Sequence, residues 1–399
     1  MRLRFGTNPH NPIAIDLGWS CTKLLQLGEG QVQAADEIPI PSDVGEDLTG
    51  RLDSLAEALP SVLSDGAFRG RRVVLAMPAF QTVLQAMSLE PSADQDDTLA
   101  MQMRLPAQHA HWMTRSIDVS SSSGLGRDVI CQAISRQAVL KHVELLHGMK
   151  LEIAGIVAQP SPIVAAFHHI NQRAQDAEHC TVHVDIGAGG STVVMAHGQR
   201  IVLARSIATG GRHLDSCIAQ ELQCSPDAAK QLRLTQSADD NTQSAAALLF
   251  DGPTVGGGLD SELMETVVAT DRRSTAGPPP LGPDLHDVPV VLAQVDLSAV
   301  IEALVDDLQL CLRHHRATWP HVQVSRVIFS GGEARQSWLC RRIVQALHLP
   351  GQVGDPLARL NCSPDATPLV GWPDRARPDW SVAAGLSALH DHGGLHAAE

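Results

Sequence analysis

Residues 181–214 read TVHVDIGAGGSTVVMAHGQRIVLARSIATGGRHL, and the order of apolar and glycine-rich segments in this stretch decides the fold. Valines alternate with polar residues up to Asp185, as in a half-buried strand, and three glycines follow within the next five residues. Apolar runs at 193–195 and 201–204 predict two further strands, joined by a turn at residues 197–198. The glycine-rich turn is therefore predicted to lie inside a strand hairpin, directly after a carboxylate.

This placement excludes the two commonest phosphate-binding loops. A Rossmann fingerprint and a Walker A loop both open a helix, and a Walker A loop also has a lysine before its hydroxyl residue. Here Ser191 and Thr192 lead into a strand, and no lysine precedes them. The turn is either a phosphate site of another class or a plain turn in which Asp185 caps backbone N–H groups.

A second copy of the pattern lies near the start of the chain. Residues 13–32 contain an apolar strand, the sequence DLGWSCTK, a second apolar run and a glycine turn before a third strand. Aligned, the two copies share an acid, a glycine and a hydroxyl residue: Asp16 with Asp185, Gly18 with Gly187, and Thr22 with Ser191. We interpret the chain as two related halves, each beginning with a three-strand meander.

Composition limits the classes of function. The chain has 399 residues, of which 44% are hydrophobic and 19% charged, enough for a sizeable core divided into two or more lobes. The formal net charge of −14 argues against a nucleic-acid surface. No apolar run reaches the length of a membrane span and no signal peptide is recognisable, so we expect a cytosolic protein. The eight cysteines form no C-x-x-C pair and adjacent histidines point apart on a helix, so neither predicts a metal site.

The remaining chain alternates between helical and strand patterns. Periodicity predicts helices over 48–63, 94–103, 138–149, 211–222, 226–234, 296–317, 334–347 and 380–389. Further strands are predicted over 72–77, 81–89, 127–135, 324–329 and 352–353, and residues 156–170 link the halves. Residues 236–289 are polar and rich in loop-forming residues, which favours a mobile insertion.

Three turns carry the candidate chemistry. Glycine removes Cβ atoms, so two facing hairpins can present backbone N–H groups to a triphosphate from opposite sides. Asp16 and Asp185 would then lie close enough to hold Mg²⁺, through its water ligands. A third turn, Gly331 and Gly332, closes a strand before a helix and can lie against an adenine base, although a tight turn explains it equally.

The motifs IAIDLG, VHVDIGAGGST and VIFSGG resemble the phosphate-1, phosphate-2 and adenosine motifs of the superfamily of actin, heat-shock chaperones and sugar kinases. Within it, IAIDLGWSCTKLLQL, VVLAMP, RSIATGG and SVAAGLSAL are similar to the PilM family of type IV pilus assembly proteins. The resemblance implies an α/β fold: an actin-like, ribonuclease H-like, duplicated two-lobe ATPase fold with the subdomain 1C insertion of the cell-division protein FtsA.

The resemblance also implies a domain plan. Residues 1–80 would form the first lobe (subdomain 1A) and 81–153 the inserted subdomain 1C. Residues 154–235 would begin the second lobe (2A), and 236–295 would be subdomain 2B with a disordered insertion. Residues 296–399 would end the second lobe with the adenosine motif and a C-terminal helix that returns to the first lobe.

Carried over to this sequence, the resemblance implies ATP and Mg²⁺ as cofactors. The phosphate-facing residues would be Asp16, Gly18, Ser20, Thr22 and Lys23 on one side and Asp185, Gly187, Gly189, Ser191 and Thr192 on the other. Gly331 and Gly332 would contact the nucleoside, and Asp227 with Lys230 would lie against it or form a surface ion pair. Two positions depart from the family: Trp19 is bulky, and Gln159 replaces an acid. Gln159 can position a water, which leaves ATP hydrolysis open.

The implied function is an ATP-binding platform under the inner membrane that binds the cytoplasmic N-terminal peptide of a PilN-like membrane protein and other platform proteins, with homo-oligomerisation open. A small-molecule kinase is the enzyme alternative, but no substrate-binding constellation is recognisable. An FtsA-like division filament protein would carry a basic amphipathic helix, whereas this sequence finishes SALHDHGGLHAAE. A type II secretion platform component would be expected to continue into a transmembrane helix.

Overall fold

A computed structural model describes residues 10–28, 30–45, 47–89, 96–105, 112–119, 127–171, 174–241, 249–250, 295–363 and 375–391. Most of the polar stretch 236–289, for which a mobile insertion is predicted, lies outside these residues. Among the described residues, no helix has the length and apolar character needed to cross a bilayer.

The strands fall into three sheets. In chain order they are β1 (Ile13–Leu17), β2 (Cys21–Gly28), β3 (Gln31–Pro39), β4 (Arg72–Ala76), β5 (Thr82–Leu89), β6 (Trp112–Asp118), β7 (Arg127–Ser135), β8 (Glu152–Val157), β9 (His179–Ile186), β10 (Ser191–His197), β11 (Arg200–Ile207), β12 (Leu249–Phe250), β13 (Gln323–Ser330), β14 (Gly351–Val353) and β15 (Asn361–Cys362).

The helices pack on these sheets and connect them. They are α1 (Leu48–Ser64), α2 (Asp96–Gln102), α3 (Arg136–Gly148), α4 (Pro160–Ala166), α5 (Gly211–Leu222), α6 (Pro226–Asn241), α7 (Ser298–Thr318), α8 (Ser337–Leu347) and α9 (Ser381–Asp391). Short 3₁₀ turns include Gly332–Arg335 and Pro378–Trp380.

The two large sheets repeat one topology, which supports the interpretation of two related halves. The first sheet has the order β15-β3-β2-β1-β4-β8 and the second β11-β10-β9-β13-β14-β12. In each sheet an antiparallel meander is followed by two strands that run parallel to its first strand. Because the first strands correspond, the turns after β1 and β9 occupy equivalent places in the two lobes.

Helices α4 and α9 form the layer between the two sheets. Ile163 of α4 and Trp380 at the start of α9 are fully buried, and they share one apolar cluster with Ala14 of the first sheet and Val194 of the second. Ile13 and Ile15 point to the opposite face of β1, where α1 and α3 complete a separate core. The alternation along β1 therefore divides its side chains between the interlobe layer and the core of the first lobe.

The insertion contributes to both lobes. Its three strands form a small antiparallel sheet with the order β5-β7-β6. Leu84 and Ile130 of this sheet belong to the core cluster of the second lobe, and the Ser206 hydroxyl on β11 donates to the carbonyl of Thr82 at 2.9 Å. Helix α3 instead packs into the core of the first lobe. The subdomain boundaries at 80/81 and 153/154 stay a prediction.

Most predicted elements match the observed ones, with several corrections. The predicted link over 156–170 contains the end of β8 and helix α4, and β12 and β15 were not predicted. Helix α6 continues to Asn241, beyond the predicted end at 234, although the sequence there is polar. A 3₁₀ turn separates Gly331 from α8, so the helix does not start at 334. Strand β6 was not predicted either, because its sequence WMTRSID lacks a clear apolar alternation.

Candidate functional site

The two aspartates of the duplicated motif occupy equivalent positions at the carboxyl ends of β1 and β9. Asp16 is opposite Lys23 on β2, and Asp185 is opposite Thr192 on β10. Both aspartates are buried, with 6% and 8% of their surface exposed. Both carboxylates therefore lie between the lobes, at a place we call the cleft, and near enough for the charge of Asp185 to act on Asp16. Their role in binding a cation stays a prediction.

Asp16 is buried without a full set of partners. Among the described residues, no donor reaches its Oδ1 oxygen. Burial raises the pKa of Asp16 to about 6; Lys23 opposes the rise, and the carboxylates of Asp185 and Asp379 add to it. A buried, unsatisfied carboxylate near a second one is a site that a cation would stabilise.

Asp185 is held in place by two serine hydroxyls. Ser330, at the end of β13, donates to Asp185 Oδ2 at 2.8 Å, and Ser381, at the start of α9, donates to the same oxygen at 2.6 Å. Burial raises the pKa of Asp185, and these hydrogen bonds partly oppose the rise. Ser381 lies 196 residues away in the sequence, so no local pattern identifies it as a partner.

A third carboxylate, Asp379, lies at the same end of the cleft, beside Lys23. Its Oδ2 lies 4.0 Å from Lys23 Nζ and 3.0 Å from Arg377 Nη2. Burial acts to raise the pKa of Asp379, but the Arg377 hydrogen bonds and the charge of Lys23 hold it below the ordinary value. Lys23 is buried, and although burial acts to lower its pKa, Cys21, Asp379 and Asp16 raise it. Lys23 therefore carries a positive charge among three acidic groups.

Arg51 of α1 fixes the first phosphate loop. Its guanidinium donates to the carbonyls of Trp19 at 3.1 Å and Gly45 at 3.0 Å, and also to that of Gly18. Burial lowers the pKa of Arg51 to about 10. This role was not predicted from the sequence, although a signal exists: Arg51 lies one and two turns before the buried Leu55 and Leu59, on the apolar face of α1.

The second phosphate loop is tied to the start of α5. The N–H groups of Gly211 and Arg212 donate to the carbonyls of Gly187 and Ala188 at 3.0 and 2.9 Å. A Cβ atom at Gly210 would lie 2.5 Å from the Gly187 oxygen, so glycine is required there. The Ser191 hydroxyl donates to the carbonyl of Thr209 at 2.7 Å. The loop is thus a rigid, hydrogen-bonded turn against the N-terminus of α5, although the chain itself continues from this loop into strand β10.

Gln159, the predicted water-positioning residue, is a buried partner of the second loop. Its Oε1 accepts a hydrogen bond from the Thr192 hydroxyl at 3.3 Å. Gln159 directly precedes α4, so it lies between the linker and the second hairpin. An amide cannot take up a proton as a carboxylate does, so Gln159 supplies no general base.

Trp19 lies between the two phosphate loops. A Cβ atom at Gly189 would be 2.4 Å from its ring, and the Arg212 guanidinium lies 4.5 Å from the ring centroid. Phe80 contacts the ring edge-on at 4.8 Å between centroids. Trp19 therefore bridges the lobes through its side chain, in the space between Gly18 and Gly189.

The adenosine motif forms a tight turn above the end of β9. Gly331 has φ of +88°, and a Cβ atom there would lie 2.4 Å from the Ile186 carbonyl oxygen, so only glycine fits. A Cβ atom at Gly332 would meet nothing within 4 Å, which leaves open space at that residue.

A buried ion network lies beside this motif. Arg233 of α6 is 1% exposed, and its guanidinium donates to Asp215 of α5 at 2.7 Å and to Glu333. Asp227, the predicted nucleoside residue, instead accepts from the Ser42 hydroxyl across the cleft at 2.9 Å. Lys230 is half-buried on the same helix. The Arg233 network was not predicted, because its partners are far apart in the sequence.

These residues fit a magnesium nucleotide on one condition. The orphaned Asp16 oxygen, the neighbouring Asp185 and the charged Lys23 suit a hydrated cation beside phosphate oxygens. The glycine turns leave backbone close to the cleft. The Trp19 side chain must rotate out of the space between the loops before a phosphate chain can enter, a change that leaves the backbone intact.

Comparison with known proteins gives a family match and a fold match. A family profile described as type IV pilus assembly protein PilM matches residues 14–247, more than half of the chain. A solved PilM-PilN type IV pilus biogenesis complex superimposes with a TM-score of 0.66 at 16% identity, covering 95% of this chain and 98% of that one. The actin-like two-lobe fold expected from the motifs is confirmed.

The chain is also similar to a cell-division protein and to a further solved structure. Cell division protein FtsA of Rhizobium meliloti (strain 1021) is 22% identical over 268 residues, which cover 66% of this chain. The chain spans about half the length of the curated relatives it matches, 51% in this case. MreB 5 of Spiroplasma citri bound to AMPPNP covers 98% of this chain and 99% of its own, at 11% identity and a TM-score of 0.48.

Proposed function

Because the chain belongs to the PilM family of type IV pilus assembly proteins, we propose that it is an ATP-binding platform protein of the pilus machine. It would lie beneath the inner membrane and bind the N-terminal cytoplasmic peptide of a PilN-like membrane protein. The observation that carries the nucleotide part is the buried pair Asp16 and Asp185 after two equivalent glycine turns, with the positive Lys23 beside them.

Different residues of the chain would bind the metal ion, the phosphates and the nucleoside. Asp16 and Asp185 would hold Mg²⁺ through its waters, and Lys23 would face the phosphates, which compete with Asp379 for its charge. When bound, Mg-ATP would supply a charged bridge between the lobes. Polar and glycine residues complete the site: Gly18, Ser20 and Thr22 from the first loop, Gly187, Gly189, Ser191 and Thr192 from the second, and Asp227, Lys230, Gly331 and Gly332 at the nucleoside.

We infer that the nucleotide acts as a conformational brace and that hydrolysis is weak or absent. Gln159 is engaged by the Thr192 hydroxyl and cannot accept a proton from an attacking water. Binding to the closed form alone stabilises that form by about 2.7 kcal/mol at a hundredfold excess of ligand over Kd. This is enough to shift an equilibrium between open and closed lobes about a hundredfold.

The partner follows from the family and is supported by the solved complex of a PilM with PilN, which shares the fold over nearly the whole chain. A platform protein recognises a short peptide most simply by a surface whose shape depends on the state of the lobes. In this proposal ATP sets the lobe closure and the closed form binds the peptide. Contacts to other platform proteins and self-association belong to the same proposal.

The partner is tested with the cytoplasmic N-terminal peptide of the PilN-like protein encoded in the same operon. Titration of the labelled peptide with the purified full chain should give saturable one-to-one binding that tightens with Mg-ATP. A scrambled peptide of the same composition is the control. Equal signals from both peptides, or no binding with and without Mg-ATP, would remove the platform assignment.

A further inference from the structure

Three metal-ligating side chains meet at the end of the second lobe that is remote from the cleft. Cys180 near the start of β9 and His197 at the end of β10 are opposite each other in the antiparallel register. His315, in the last turn of α7, packs onto the same place. The ligand atoms of the three residues all lie within 4.8 Å of one another. Because the three residues lie at positions 180, 197 and 315, no local sequence motif identifies them as a group.

The cluster is enclosed. Cys180 and His315 are fully buried and His197 is 5% exposed. Trp319, directly after α7, lies against both imidazoles, with ring centroids 5.6 Å from His197 and 5.4 Å from His315. The exposed turn residues 199–200 follow His197, so only one hairpin turn separates the cluster from solvent.

The hydrogen bonds within the cluster are incomplete. The Nε2 atoms of His197 and His315 are 2.9 Å apart, which satisfies one nitrogen of each ring when one donates and the other accepts. Among the described residues, nothing bonds His315 Nδ1. The Cys180 thiol lies 3.9 Å from the carbonyl oxygen of Thr181, and the backbone of Ala196 also forms a hydrogen bond with it. A buried nitrogen without a partner, such as His315 Nδ1, costs stability, and a metal ion bound by all three side chains would offset part of that cost.

Both imidazoles are in the form that binds metals. Burial lowers the pKa of His197 and of His315 to about 4, so both rings are neutral at pH 7 and each has one unprotonated nitrogen. The nitrogen that accepts the hydrogen bond between the rings would give up that bond when a metal binds. Burial raises the pKa of the Cys180 thiol to about 12, so this thiol is protonated until a metal displaces the proton. Two neutral imidazoles and one thiolate give a mixed nitrogen and sulfur donor set of net charge −1.

We propose that Cys180, His197 and His315 form a binding site for Zn²⁺, with water as the fourth ligand. Zinc prefers nitrogen and sulfur donors in a tetrahedral arrangement, with Zn–N near ~2.0 Å and Zn–S near ~2.3 Å. That geometry places two ligating nitrogens about 3.3 Å apart, so the imidazoles need to separate by only a few tenths of an ångström. Mg²⁺ and Ca²⁺ prefer oxygen ligands, so the two imidazoles and the soft thiolate disfavour them here.

The site is independent of the nucleotide cleft. Cys180 precedes Asp185 by five residues on β9, which corresponds to about 16 Å along the strand. A metal there would join β9, β10 and α7, the elements on which the second phosphate hairpin is built. Its role would be to stabilise the second lobe, and failure of ATP binding would not affect this proposal.

The test measures metal bound by the full chain produced without a histidine tag or chelator. Elemental analysis should find about one Zn²⁺ per chain, and Co²⁺ substitution should give a sulfur-to-cobalt charge-transfer band in the near ultraviolet. In Cys180→Ser both signals should disappear. Cys340→Ser is the matched control, because Cys340 is equally buried in α8 and outside the cluster.

A second variant keeps the outcome clear if Cys180→Ser does not fold. His315→Gln preserves a polar side chain and should lower zinc affinity at least a hundredfold while circular dichroism confirms the fold. A chelator should lower the melting temperature of the wild type and leave His315→Gln unchanged. The proposal is overturned if the wild type binds no Zn²⁺ at micromolar concentration, if the variants bind it equally, or if Cu⁺ alone occupies the site.

Discussion

At the residue scale, the cleft is built around a carboxylate whose charge is costly in the free protein. Asp16 has one oxygen without a donor among the described residues, and the pKa of the group is raised to about 6 by burial. A folded-state pKa above the ordinary value means that the native state binds the proton more tightly than the unfolded chain. Stability is therefore lost as the pH rises from about 4 to about 6, and the loss persists above that range.

We predict that Asp16→Asn stabilises the metal-free, nucleotide-free protein at pH 7.5 by on the order of 2–3 kcal/mol, since it removes a buried charge and keeps the shape. The difference in the free energy of unfolding between Asp16→Asn and the wild type should shrink toward zero at pH 4, where Asp16 is protonated. Denaturant unfolding at both pH values measures it. Asp53→Asn removes an exposed carboxylate of α1 in the same lobe and is the control for the loss of one negative charge. An Asp16→Asn protein less stable than the wild type at pH 7.5 would contradict this account.

Trp19 is the second residue with a distinct role, because it occupies the space between the phosphate loops. Its ring contacts Arg212 across the cleft and lies against Gly189. A cation–π contact of this kind contributes about 0.5–2 kcal/mol. Nucleotide entry breaks this contact, and the cost of moving the ring lowers the affinity for the nucleotide.

We predict that Trp19→Ala binds Mg-ATP about three- to tenfold more tightly than the wild type, which corresponds to about 0.6–1.4 kcal/mol. Trp19→Phe keeps a ring between the loops and should stay close to the wild-type affinity. Calorimetric titration of the three proteins provides the comparison. Weaker binding in Trp19→Ala would mean that the ring contacts the nucleotide and does not compete with it.

At the element scale, helix α9 must approach α4 closely to complete the interlobe layer. Gly385 makes this possible: a Cβ atom there would lie 1.8 Å from the carbonyl oxygen of Pro162. Alanine is the better helix former by about 1 kcal/mol, but at this position the clash with backbone outweighs the propensity. The same helix begins with Ser381, which bonds Asp185, so its position also affects the cleft.

We predict that Gly385→Ala lowers the free energy of unfolding by about 1–3 kcal/mol because α9 is pushed away from α4. Gly148→Ala is the matched control, since Gly148 ends α3 and a Cβ atom there meets nothing within 4 Å. The control should be neutral or more stable by up to about 1 kcal/mol. Equal effects of the two substitutions would show that the contact with Pro162 relaxes without cost.

Helices and strands with a strong apolar periodicity could be predicted from the sequence, whereas a polar edge strand without that periodicity could not. Helix α5 and strand β7 begin and end where the patterns at 211–222 and 127–135 predict, because burial on one face imposes the pattern. The polar edge strand β6 carries no such pattern. Asp379 and Arg233 also escaped prediction, since their partners depend on how distant elements pack.

At the scale of the whole molecule, three connections hold the lobes in one arrangement. The apolar layer of α4 and α9 lies between the sheets, the insertion packs on β11, and Trp19 and Ser42 reach across the cleft. The third connection consists of one polar and one aromatic contact at the cleft, and a ligand can replace both. The duplicated motif predicts this plan from the sequence alone; the side chains that close the cleft without a ligand became visible only in the structure.

The central claim is that the two glycine hairpins and their aspartates bind Mg-ATP, and thermal unfolding tests it most directly. The wild type should melt at a higher temperature with ATP and Mg²⁺ than with ATP and a magnesium chelator. Asp16→Asn should show no such rise, although its ligand-free form is at least as stable. A wild type whose melting temperature does not respond to saturating Mg-ATP, or an equal rise in Asp16→Asn, would contradict the claim.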